Sequence, residues 1–310
     1  MARLKQEPSV ATIRQTAGAG AARAAARRRR ASSGHGAERR PRWVTYTLLG
    51  LVLVISAYPL YFAFLLASSD AVTIAQTPIP SLIPQGNFGE NLARVFDADI
   101  KFWQSFLNSL LVAAITALSV VFFATLAGFS FSKLRFRGRG PLLIFVIATM
   151  AVPTQLGVVP LFILMSELGW VGQLQAVIVP GMVTAFGVFW MTQYLESALP
   201  YELIEAARVD GCNLFRAFWN VALPAARPAA TMLALFTFVA SWTNFFWPFI
   251  VLGPQNPTLP VAVQLLQASF FKDQSLIMAG VVAATIPLIV LFIFAGRQLV
   301  SGIMAGAVKG

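Results

Sequence analysis

The chain has 310 residues, of which 57% are hydrophobic and only 11% charged, and its mean hydropathy is +0.72. A soluble domain carries about 25% charged residues, so the composition excludes disorder overall, argues against a water-soluble enzyme and points to a membrane protein. The net charge of +11 is gathered in Met1–Arg42, where eleven Lys and Arg face only Glu7 and Glu38, so the high pI describes the tail and not the body.

That tail is rich in Arg, Ala and Gly, and it reads as a disordered topology signal able to lie on anionic membrane lipid. No aromatic residue interleaves its arginines, which argues against a nucleic-acid partner. The first apolar run, Trp43–Ser69, holds 27 uncharged residues, beyond the roughly 7–15 of a cleavable signal core. It reads as an uncleaved anchor. A bilayer core asks for about 20 apolar helical residues. Charge-free stretches of that length predict an all-α membrane protein with six spans, at about 43–67, 105–131, 141–165, 173–195, 228–250 and 275–296. The domain division is then a basic tail, 1–42, and a membrane domain, 43–310.

The cations decide orientation. Arg and Lys of the tail, of Lys133–Arg139, of the segment holding Arg208, Arg216 and Arg227, and of the end with Arg297 and Lys309 share one side, so both termini are expected in the cytoplasm. Between Asp70 and Lys101 lies an outside loop ordered by turns rather than long helices. Glu196–Arg227 is the largest cytoplasmic loop.

Catalysis finds few materials here. Cys212 and His35 are single, which excludes an intrachain disulfide, a His-based zinc site and Ser-His-Asp or Cys-His chemistry. None of the five lysines follows a glycine, so the phosphate-binding G-x-x-x-x-G-K-[ST] loop is missing. The chain is expected to be no enzyme, with no metal or cofactor of its own. A proton-coupled carrier would place a carboxylate within a span, and every charge after the tail falls at or beyond the span ends. Neither a channel filter nor a charged ring is visible.

In the loop 196–227 the run Pro200-Tyr-Glu-Leu-Ile-Glu-Ala-Ala-Arg-Val-Asp-Gly-Cys212 predicts two short helices around a break. Pro200 suits a helix start, with Glu202 and Glu205 near its positive end. Gly211 can take the left-handed terminating conformation. Asn213 can cap a second helix, Leu214–Ala222, that Pro224 ends. Leu203, Ala206 and Ala207 form one small apolar face.

Glu205, Ala206, Ala207 and Gly211, followed at fixed spacing by Val221, Leu223 and Pro224, match the EAA motif of bacterial ABC importer permeases in full. Asn108-Ser109, Phe131–Arg139, Pro153 with Val159-Pro160-Leu161, Leu168-Gly169, Ser241-Trp-Thr-Asn244 before Pro248, and Gly306–Gly310 are similar to the carbohydrate branch. Trp43–Gly310 thus resembles the smaller permease subunit of the maltose-type importers. Cys212 replaces the more usual Ala, and a basic residue is missing after Ser69.

The resemblance implies the type I importer permease fold in the bacterial inner membrane. It also implies partnership with a second permease, an ABC ATPase dimer that binds the ATP and Mg, and an extracytoplasmic sugar-binding protein. Coupling to the ATPase would fall on Glu205, Ala206, Ala207 and Gly211, with Leu223 and Pro224 completing the motif and Arg208 and Asp210 at the rim. Sugars are held by aromatic stacking and by amides and hydroxyls, which makes Gln155, Trp190, Gln193, Trp242 and Asn244 candidates for the substrate path. Polar residues in spans also join helices, so both roles stay open. Gln255 and Asn256 stand in the outward Gly253–Pro260 loop, which in the maltose system probes the binding protein.

Overall fold

In hydrocarbon no water is present to satisfy backbone N–H and C=O groups, and a helix satisfies them within itself. The computed structural model describes residues 43–77, 79, 81–268 and 273–307, with Ala268 and residues 297–307 described by backbone alone. The basic tail, Arg297 as a side chain, and the ending at Val308–Gly310 lie outside what is described. All regular structure among the described residues is helical. In chain order the α-helices are α1 (Trp43–Ala67), α2 (Ala71–Gln76), α3 (Phe88–Asp97), α4 (Phe102–Lys133), α5 (Arg139–Thr149), α6 (Val158–Glu167), α7 (Gln175–Gly181), α8 (Ala185–Ala198), α9 (Tyr201–Val209), α10 (Leu214–Ala217), α11 (Leu223–Trp242), α12 (Phe246–Leu252), α13 (Leu259–Leu265) and α14 (Gln274–Ala307).

Five helical segments are long and apolar enough to cross a membrane, and Arg139–Thr149 plus Thr154–Glu167, a pair bent by 89°, makes a sixth when counted as one broken span. This third crossing departs from the unbroken span expected at 141–165. After Thr149 the turn tightens, with the Met150, Ala151 and Val152 N–H groups bonding three residues back. Pro153 then has no N–H to extend the ladder.

The fifth crossing also differs from the expected 228–250. It begins at Leu214 and ends at Trp242, so Pro224 does not end a helix. A π-helical turn, Phe218–Ala222, lets the Leu223 N–H reach the Phe218 carbonyl. That widening leaves room for the ring of Pro224 one residue later, where a regular turn would clash. The helix stops instead at Thr243–Phe245. A continued helix would drive Pro248 against the Asn244 carbonyl, whereas in the first turn of α12 its missing N–H costs nothing.

The chain divides into two units, Met1–Pro59 and Leu60–Gly310. Of the first, residues 43–59 are described, a helix whose side chains are exposed. In the second, α4 is the central helix and packs on α8 and α11. Lipid is as apolar as leucine, so close approach rather than water exclusion has to hold such helices. Buried Ser105, Ser109, Ala113, Ala117, Ala124 and Gly128 recur along one stripe of α4. At Gly128 a Cβ would sit 2.8 Å from the Met191 backbone of α8, so the contact exists only because the residue is glycine. Phe129, Met191, Leu195, Phe218, Ala222 and Leu233 fill the space beside it.

Candidate functional sites: an exposed loop helix and a cavity at three helix breaks

Pro200 precedes α9, Glu202 lies in its first turn and Arg208 in its last, both favourable to the helix dipole. Its end is closed by two crossed bonds, Cys212 N–H to the Ala207 carbonyl at 2.9 Å and Gly211 N–H to the Arg208 carbonyl at 3.1 Å. That is a Schellman closure, and Gly211 supplies the left-handed residue with φ of 80°. Asn213 Oδ1 then accepts from the Arg216 N–H at 2.9 Å and caps the next helix.

One side chain anchors α9. Ile204 is 3% exposed, set in the cluster with Phe129, Leu195, Leu199 and Phe218. The rest of the helix faces outward. Leu203 is 50% and Val209 87% exposed, and Glu205, Ala206, Arg208, Asp210 and Gly211 are exposed while Ala207 is half-buried. The helix of nine residues is thus anchored by one buried isoleucine, with apolar and charged groups turned out. Leu223 and Pro224 take no part in that face; half-buried, they stand in the first turn of α11.

A second constellation lies away from this loop. Three breaks in the helical ladder contribute to one cavity of about 330 Å³: Thr154 and Gln155 from the bend after Pro153, Pro180 and Gly181 from the end of α7, and Asn244 from the gap after α11, with Phe246 at the start of α12. Trp247 completes the wall, its Nε1 donating to the Ala176 carbonyl at 2.9 Å. Irregular backbone within a crossing is tolerated where it lines protein or a watered cavity, and this cavity offers hydroxyl, amide and aromatic groups together.

The five path candidates therefore separate. Gln155 and Asn244 meet in the cavity. Trp190 lies elsewhere and joins helices, its Nε1 donating to the Ala229 carbonyl at 3.2 Å. Trp242 is 2% exposed, donates to the Ala284 carbonyl at 3.2 Å and stacks on Phe238. Gln193 is exposed on α8 and does not line this cavity. Trp247 and Thr154 had no sequence signal beyond their places next to Pro248 and Pro153.

The two residues of the loop after α12 stand differently in the structure. The Asn256 side chain is engaged within the protein: its Oδ1 accepts from Asn108 Nδ2 at 2.8 Å and Gln104 Nε2 at 3.2 Å, and its Nδ2 donates to the Gly172 carbonyl at 3.2 Å. An amide so engaged positions the loop. The neighbouring side chain of Gln255 is exposed, while its carbonyl accepts from Lys101 Nζ at 3.2 Å. Nearby, Arg94 and Asp273 form an ion pair at 2.7 Å. Burial pushes the Asp273 carboxyl up, but hydrogen bonds from Ser275, Arg94 and Leu276, with the Arg94 charge, outweigh it and hold the group below its ordinary value.

Comparison with known proteins accounts for the architecture. Residues 120–299 match the family described as binding-protein-dependent transport system inner membrane component. The chain belongs to that family. It is similar to the lactose transport system permease protein LacG of Rhizobium radiobacter, 30% identical over 281 residues that cover 87% of this chain and 97% of the relative. The arabinooligosaccharides transport system permease protein AraQ of Halalkalibacterium halodurans is 28% identical over 270 residues, 86% of this chain and 96% of the relative. Among solved structures, a chain of a bacterial ABC transporter involved in the import of the acidic polysaccharide alginate shares the fold. Its TM-score is 0.69 at 23% identity, over 82% of this chain and 94% of that one. As an inner membrane component of this family, the protein is a multi-pass permease subunit and is not itself catalytic.

Proposed function

We propose that this permease subunit serves an ATP-driven carbohydrate importer, with oligosaccharides as the cargo. It would form the path together with a second permease and receive sugar from an extracytoplasmic binding protein. An ABC ATPase dimer, which binds the ATP and Mg, would supply the energy. Both termini and α9 would face the cytoplasm, in a bacterial plasma membrane. Two relatives named for oligosaccharide and disaccharide transport support the cargo class.

The observation that carries the coupling role is α9 itself. Its outward face of Leu203, Glu205, Ala206 and Arg208 is rooted by Ile204 in the cluster that also holds Phe129 of α4, Leu195 of α8 and Phe218 before α11. A partner that gripped the outer face and moved would displace the root of three crossings at once. Small alanines allow close approach, Glu205 offers an acceptor for a cation or N–H groups, and Gly211 keeps the helix end rigid. Gln155 and Asn244 would then meet sugar hydroxyls in the cavity at the three breaks, with Trp247 and Phe246 as apolar walls for a sugar ring.

Affinity purification of the chain from its native membrane, with mass spectrometry of what accompanies it, tests the assignment. An ATP-binding subunit, a second multi-span permease and a binder whose ligand proves to be a sugar are the expected companions. Recovery of the chain alone in mild detergent, with no ATPase, contradicts it.

A further inference from the structure

The run Phe131-Ser-Lys-Leu-Arg-Phe-Arg-Gly-Arg139 places four cations within seven residues, and nothing in the coupling account uses them. Lys133 is the last residue of α4 and is only 6% exposed. Its ammonium carries three donors, and its hydrogen bond is a single one, to the Glu196 carbonyl at 3.3 Å. Among the described residues no carboxylate lies within ion-pair distance of it, and the ion pair there is Arg94–Asp273. The side chain ends at the wall of an open cleft, where an ammonium with spare donors attracts an anion.

Lys133 lines a cleft of about 490 Å³ between residues 133–136 and α9, together with Arg135, Phe136, Tyr201, Glu205 and Arg208. The Arg135 guanidinium lies 5.6 Å from the centroid of the Tyr201 ring, which holds it at the wall by a cation–π contact. The cleft thus collects three cations against the one carboxylate of Glu205. Glu196 and Glu202 act on Lys133 from a distance, but both are exposed and so are screened by solvent. Phosphate, with several acceptor oxygens on one centre, suits converging ammonium and guanidinium donors.

The position chooses the source. Lys133 stands where an apolar crossing stops, the depth of the lipid headgroups, and Phe136 and Leu214 present exposed apolar surface at the same cleft. We propose that this cleft is a phosphate site occupied by the headgroup of an anionic phospholipid. Arg208 belongs to α9 and Lys133 to α4, so the lipid would clamp the loop helix to the central crossing. The proposal rests on the chain's being a membrane component, and it stands whatever sugar is carried.

The test uses the purified transporter complex in phosphatidylcholine nanodiscs with a rising fraction of phosphatidylglycerol, and native mass spectrometry counts the phosphatidylglycerol retained. The expected result is specific retention by the wild type, weakened about fivefold for each cation removed in Lys133→Gln and Arg135→Gln. Arg135 is exposed and lies outside the coupling helix, so that variant keeps the test valid even if Lys133→Gln fails to fold. Equal retention by both variants overturns the proposal. Displacement of the lipid by millimolar inorganic phosphate reassigns the site to the free anion. Retention only after the ATPase subunits are stripped away makes it a protein-docking surface, and either result overturns the lipid assignment. Neither depends on sugar uptake, so failure here leaves the transport reading intact.

Discussion

Asn108 Nδ2 donates to Asn256 Oδ1 at 2.8 Å and to the Pro257 carbonyl at 2.9 Å, while the neighbouring Ser109 Oγ accepts from the Leu259 N–H at 2.7 Å. The first turns of α4 thereby hold the loop that follows α12. Replacement of Asn108 by Ala leaves Asn256 and the Pro257 carbonyl without this donor in a poorly hydrated place. The loss should be about 1–3 kcal/mol, with faster hydrogen exchange confined to residues 253–259. Unchanged exchange there would contradict the tethering role.

Gly128 makes the α4–α8 contact possible. Gly128→Ala should lower the thermal midpoint, at a cost of about 1–3 kcal/mol, because its Cβ would meet backbone atoms of Met191 and Thr192 at 2.8–2.9 Å. Gly157→Ala, with nothing within 4 Å of the added carbon, should be neutral or slightly stabilising. Melting curves of the two purified variants in one detergent decide the matter; equal midpoints would show that the helices can part at no cost.

Much of this was legible in the residues and some was not. Gly211 and Asn213 could be assigned because a left-handed glycine and an asparagine cap are local chemistry, complete within a few residues. Pro224 and the 89° bend could not. A charge-free stretch reads the same whether straight or broken, and the fate of a proline depends on whether an adjacent turn widens to π geometry. Among the path candidates, residue type alone cannot separate Gln155 and Asn244 from Trp190 and Trp242. The three breaks in the helical ladder decide which polar groups converge, while the two tryptophan N–H groups are satisfied by carbonyls on neighbouring helices.

The cavity makes that separation measurable. Gln155→Leu and Asn244→Leu should each raise the KM for sugar uptake severalfold in proteoliposomes, while ATPase activity stimulated by the loaded binding protein persists. Trp190→Phe removes one bond between helices, worth about 0.6 kcal/mol, and should leave KM alone. If Trp190→Phe shifts KM and the two amide variants do not, the path runs elsewhere.

Asp273 gives a pH signature. Its carboxyl is held below the ordinary value in the folded protein, near 3.9 in an unfolded chain. Its stabilising contribution is therefore present above that unfolded value and lost as pH falls through the lower folded one. Asp273→Asn should flatten the acid limb of thermal stability against pH below about pH 4, and Arg94→Gln should flatten it in part. An acid limb identical to that of the wild type would mean that the pair with Arg94 contributes nothing.

The central claim is that α9 carries movement between a partner ATPase and the crossings. Its most direct test is sugar uptake by the reconstituted importer carrying Gly211→Pro, which removes the N–H that closes the helix and forbids φ of 80°; Glu205→Arg in parallel reverses the charge on the exposed face. The account predicts that both complexes insert and assemble, that ATP is still bound, and that uptake falls at least about tenfold, a coupling loss near 1.4 kcal/mol. Uptake at the wild-type rate by both variants would contradict it.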